Sequence, residues 1–177
     1  MKKVQKPIRT KPWIRYCFFA AAGLLLLAAV LYGWMYMSID REFGFSKAYF
    51  GEAYSELFEL KSPDKTMKKT VETQAEEAFS FVGSRQEAEE RFGALAGYCA
   101  LTEHYPEAVS ADFTLDILAG DTEGNTGYLW VAYTQRIYDA EGELLAASGS
   151  EDHRCLARWT VQKKDGVWQV TEIRQNP

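Results

Sequence analysis

The stretch WTVQKKDGVWQVTEI, Trp159 to Ile173, decides how the rest of the chain is read. Two runs rich in β-branched and aromatic residues flank Lys164-Asp165-Gly166, the chemistry of a tight hairpin turn. The first run extends backwards: His153, Cys155, Ala157, Trp159 and Val161 alternate with Arg154, Leu156, Arg158, Thr160 and Gln162. A period of two places the first set on one sheet face and the second on the other. Val167 to Arg174 then closes the sheet.

Working upstream, Leu144 to Ala147 starts a return strand, interrupted at Ser148-Gly149-Ser150 by a bulge or bend. Tyr128 to Tyr138 is a long aromatic and β-branched run, ended by the turn residues 139–142. Asp121 to Gly127 is a further turn. Before it, Phe113, Leu115 and Ile117 alternate with Asp112, Thr114 and Asp116, the signature of a half-buried strand.

Helical spacing replaces alternation before Pro106. Ser84-Arg-Gln-Glu87 is a capping box opening a helix with Ala88, Phe92, Leu95 and Cys99 on one face. Ser62-Pro63-Asp64 reads as a start signal, with Ser62 as cap. Met67, Val71, Ala75, Ala78 and Val82 then recur every three to four residues up to Gly83. Phe50, Tyr54, Leu57 and Phe58 predict a further helix from about Ser46 to Leu60. That helix packs on a core or lies on lipid; Glu52, Glu56 and Glu59 dilute the second reading.

Helices followed by an antiparallel meander predict an α+β domain, helices packed on one face of a curved antiparallel sheet. This order, and the Trp159–Ile173 hairpin above all, resembles the NTF2-like (cystatin-like α+β cone) superfamily over about Ser62 to Pro177. With an N-terminal anchor the chain is similar in architecture to bacterial membrane-anchored NTF2-like proteins, including VirB8-like assembly subunits. The superfamily contains isomerases, dehydratases, small-ligand binders and pure interaction modules, so the resemblance implies a fold and not a reaction.

The anchor is the run Tyr16 to Met37, YCFFAAAGLLLLAAVLYGWMYM, which holds no charged residue. As a helix it would reach about 33 Å, against about 30 Å for a bilayer core. A cleaved signal peptide would have a shorter apolar region and small residues at its outer end. Here that end is Leu31, Tyr32, Trp34, Met35 and Tyr36, so an uncleaved signal anchor is expected. Six of the 20 bases and none of the 25 acids precede the run, so the remainder of the chain is strongly acidic. The positive side stays in the cytoplasm, which predicts residues 1–15 as a cytoplasmic head, 16–37 as the span, 38–61 as a helical neck and 62–177 as an extracytoplasmic domain. The acidic domain argues against nucleic acid as a partner. The lipid bilayer and a protein partner in the membrane or cell envelope are expected instead. Ala29-x-x-x-Gly33 would allow two anchors to approach as a homo-oligomer.

No nucleophile motif is present, and the histidines are His104 and His153. If a cone did acid–base chemistry, Asp112, Asp116 and His153 would be its nominal groups; no catalytic residue is assigned. His153-x-Cys155 is too small a ligand set for zinc, and the 121–127 turn lacks the calcium-loop spacing, so neither a metal nor a cofactor is expected. Tyr128, Trp130, Tyr133, Trp159 and Trp168 either line a ligand-holding cone or pack the core. Cys99 and Cys155, both on core faces, either form a disulfide or stay as buried thiols. The expected function is a non-enzymatic interaction or assembly module; a small-ligand pocket, or an enzyme of isomerase or dehydratase type, are the alternatives.

Overall fold

The computed structural model describes residues 12–59, 61–102, 105–150 and 153–176. The chain divides into two compact units, Met1–Arg41 and Glu42–Pro177. His104 lies outside the described residues. The described part of the first unit is residues 12–41 of α1 (Pro12–Phe43), a 32-residue helix whose apolar side chains from Tyr16 to Met37 are largely exposed. By length and composition it is able to cross a membrane.

The second unit is α+β, as expected from the element order. Helices α3 (Lys65–Phe79) and α4 (Arg85–Phe92) precede an antiparallel sheet of β1 (Ser110–Glu123), β2 (Thr126–Tyr138), β3 (Leu144–Ser148), β4 (Cys155–Lys164) and β5 (Val167–Gln175). The order across the sheet is β1-β2-β4-β5, with β3 also paired to β2. β3 lies beside residues 135–138 of β2 and β4 beside 126–133, so the return strand runs in two pieces along one edge. The interruption expected at 148–150 is where they part. Gly149 adopts φ +73°, a conformation that favours glycine. Asp165 and Gly166 both take positive φ, as a two-residue type I′ hairpin requires. Register shifts near Leu118 and between Thr160 and Val161 bend the outer strands.

Three helical expectations are corrected. The cap of α3 is Asp64, not Ser62: its carboxylate accepts the Met67 N–H at 2.9 Å. The helix stops at Phe79, so Val82 is exposed and forms a lone parallel bridge with Leu101. The helix predicted over 46–60 is a short α2 (Lys47–Phe50) followed by a 3-10 segment, Gly51–Phe58. Gly51, at φ +60°, breaks the α geometry between them. Gly93, at φ +55°, likewise divides α4 from the 3-10 turn Gly93–Tyr98. The Ser84–Glu87 capping box is formed in both directions.

Both faces of the sheet are covered. Met67, Val71, Ala75, Ala78 and Phe79 of α3, with Ala88 and Leu95, bury Leu129, Val131, Tyr133, Trp159 and Val161. On the opposite face the alternate residues Trp130, Ala132 and Leu156 are also buried, as are Phe43, Phe50, Tyr54 and Leu57. Phe50 meets Trp130 edge-on at 4.7 Å. Residues 42–58 are therefore a layer of the second unit, packed on the back of the sheet, and the neck is not a free-standing helix. Burial of each large apolar side chain there contributes roughly 1.5–3 kcal/mol.

Candidate functional site

In a cone built of helices on a curved sheet, the place to look for a ligand is between the two. Here that space is occupied by aromatic rings. Phe79 stacks between Tyr98 and Phe113, with ring centres 4.9 and 4.7 Å apart. Tyr133 meets Tyr98 edge-on at 5.0 Å, and Trp159 lies 5.7 Å from it. Such pairs add about 0.5–1.5 kcal/mol each beyond burial.

The polar atoms of this cluster are spent on one another. The Trp159 indole N–H donates to the Tyr98 hydroxyl at 3.1 Å. The Tyr98 and Tyr133 hydroxyls both donate to Gln175 Oε1, at 3.2 and 2.9 Å. Gln135 donates to the Tyr98 carbonyl at 2.8 Å. Burial pushes both phenols above their ordinary range, so they remain neutral donors. A bound molecule would have to displace rings and break these bonds.

The five aromatics expected to line one cone are not brought together. Tyr133, Trp159 and Trp168 belong to the helix-side core. Trp130 and Tyr128 point to the back face because strand residues alternate. There the Arg158 guanidinium lies 4.6 Å over the Tyr128 ring, and Trp130 donates to Glu56 at 3.0 Å. The nominal acid–base groups also miss the interior. Asp116 is largely exposed and pairs with Arg154, Asp112 is exposed on the same strand face, and His153 is an exposed loop residue.

Cys99 and Cys155 are free thiols, so the disulfide alternative gives way to two separate, largely buried cysteines. Burial pushes the Cys99 thiol up to about 11 and raises Cys155 as well. Among the described residues, no group of three or more His, Cys, Asp or Glu is placed to hold a metal.

Sequence reasoning missed the groups that hold the back face together. Glu56 forks onto Arg158, and Glu42 forks onto Arg154, whose guanidinium also reaches Asp116. Partners 102 and 112 residues apart leave no local pattern to find. Two of the clefts open to solvent among the described residues border the helix-side core. One, of about 360 Å³, lies between α4, the 3-10 turn and β2–β3, with Cys99, Gln135 and Ser148 on its walls. The other, of about 510 Å³, lies between α3, α4 and β5, beside the Arg91–Glu77 ion pair.

No protein-family model matches the chain, and no curated protein matches it in sequence. Among solved structures the chain is similar to Aln2 from a Streptomyces species, with 16% identity and a TM-score of 0.45, over 66% of this chain and 94% of that one. It is also similar to a variant of Rd1NTF2_05, with 12% identity and a TM-score of 0.36, over 63% of this chain and 96% of that one.

Proposed function

We propose that the chain is a single-pass membrane protein whose α+β domain, of NTF2-like type, is a non-enzymatic interaction or assembly module outside the cytoplasm. The observation that carries this reading is the filled interior. Phe79, Tyr98, Tyr133 and Trp159 occupy the space between helices and sheet and bond to one another and to Gln175. Neither a carboxylate nor an imidazole from the sequence candidates enters that space. The apolar α1 and the basic residues before it support the tether and its direction. VirB8-like assembly subunits are the architectural analogue.

Crosslinking of the full chain in its native membranes, followed by capture and mass analysis, tests the proposal. The expected product is an adduct of fixed stoichiometry with a protein, either a second copy or a different chain. Recovery of the uncrosslinked chain alone contradicts it.

The second reading is a small-ligand protein, favoured by the cleft of about 360 Å³ beside Cys99 and Gln135. That cleft is open to solvent and lies at the rim of the aromatic cluster. A ligand there would be held by the 3-10 turn and β3, with the interior unchanged.

A further inference from the structure

The cleft between α4, the 3-10 turn and the β2–β3 pair reaches an open edge of the sheet. β3 pairs with β2 alone, so its other edge has no strand beside it. Backbone groups along β2 alternate in direction. Tyr138 turns its carbonyl to β1 and accepts the Val109 N–H at 2.9 Å, so Gln135 and Ile137 turn theirs to β3. Their partners there are Ser148 and Ala146. Ala147, between these two, therefore directs its N–H and C=O away from β2, to the open edge. Its methyl lies on the back face by alternation, yet Ala147 lines the cleft, so its main chain is what borders it. Among the described residues nothing pairs with that N–H and C=O.

The floor of the cleft offers a second unmet group. Gln135 is only 7% exposed, and its Nε2 donates to the Tyr98 carbonyl. A carbonyl only accepts, so the amide orientation is fixed and Oε1 is the acceptor left over on the cleft side. Opposite stand Ala88, Ala96, Gly97 and Ala100, with side chains too small to fill the space. The charges at the rim, Arg85 and Glu89, bond to each other at 2.8 Å. A strand edge, a buried acceptor and a neutral wall around about 360 Å³ suit an extended uncharged peptide rather than an ion.

We propose that this cleft takes an uncharged, extended segment of a partner protein, which adds to β3 as a further strand. The Ala147 N–H and C=O bond its main chain, Gln135 Oε1 accepts from it, and its inward side chains lie on the alanine wall. Strand addition gains affinity through the main chain and selectivity through alternate side chains. The proposal rests on the reading of the domain as an interaction module and names the face and the chemistry of the partner.

The test screens the full chain in lipid nanodiscs against an array of uncharged hexapeptides of Ala, Val, Thr, Ser and Asn, blocked at both ends. Each peptide that binds is remade with N-methyl groups on its odd or on its even residues. An added strand turns alternate N–H groups to β3, so one set loses about tenfold or more and the other binds as before. Two variants close the site in different ways. Ala147→Pro removes the edge N–H, which the β2 ladder does not use. Gly97→Leu puts a side chain into the open cleft, since a Cβ there meets nothing within 4 Å. Both should keep the wild-type circular dichroism and lose the peptide; Gly97→Leu decides alone if proline disturbs β3. No binding peptide, equal losses from both methylation sets, or binding unchanged in Gly97→Leu overturns the proposal. Crosslinking in native membranes separates it from the interaction reading. A wild-type adduct that persists in Gly97→Leu contradicts the cleft alone, whereas no adduct in the wild type contradicts both.

Discussion

Glu56 and Arg158 face each other as a two-pronged pair, with Nε to Oε2 at 2.7 Å and Nη2 to Oε1 at 3.1 Å. Only 18% of the Arg158 side chain and 23% of the Glu56 side chain are exposed. The pair ties the 3-10 segment Gly51–Phe58 to the middle of β4, and the Trp130 indole shares the same carboxylate. Replacing Glu56 by Ala orphans a guanidinium and an indole N–H together. Glu56→Ala should therefore lower stability by roughly 2–3 kcal/mol. It should also speed hydrogen exchange across residues 42–58 more than in α3. Uniform exchange in both segments would show that the back layer is not held at this point.

Tyr98 is the hub of the interior. Tyr98→Phe keeps the ring and its stacking but leaves the fully buried Trp159 indole without its acceptor. The expected cost is about 1–3 kcal/mol by chemical denaturation, with the near-ultraviolet signal of the aromatic cluster retained. A neutral substitution would mean that water satisfies the indole and that the interior is open.

Cys99 and Cys155 are predicted to be inert. Thiolate is the reactive form, and burial holds Cys99 near 11 and raises Cys155. Maleimide at neutral pH should modify both slowly in the folded chain and fast in denaturant. Because the folded value is raised, the stabilisation is complete below the unfolded value of about 8.5 and is lost as pH climbs toward the folded one. Non-reducing peptide mapping that joined Cys99 to Cys155 would contradict the free-thiol geometry.

The start of α4 carries an acid-sensitive element. The Ser84 N–H and hydroxyl donate to Glu87 and hold its carboxyl below the usual carboxylate range. A lowered folded value gives stability that is present above the unfolded value, about 4.3, and lost as pH falls through the folded one. Ser84→Ala should thus lower the Tm at pH 7, with the gap to the wild type narrowing in acid. An equal gap at both pH values would count against the reciprocal cap.

What is readable locally follows from what is decided locally. Strand alternation at Phe113–Ile117 and Cys155–Val161, the Asp165-Gly166 turn and the Ser84 capping box are set by neighbours in sequence, and each is found in place. The helix ends are harder, because Gly51 and Gly93 break a hydrophobic period that otherwise continues. Trp130 and Tyr133 differ by an odd number of strand positions, so parity alone separates them onto opposite faces. The second covered face, which gives both faces a reason to be aromatic, leaves no such local trace. The layer formed by residues 42–58 depends on Glu42–Arg154 and Glu56–Arg158, contacts that only the folded chain creates.

Native mass spectrometry of the full chain, released from its own membranes in lipid nanodiscs, tests the central claim most directly. A filled interior and an interaction role predict the chain with a protein partner or a second copy, and no retained small molecule other than lipid. A stoichiometric small molecule that survives release, and is lost from a Tyr98→Ala variant, would contradict the account.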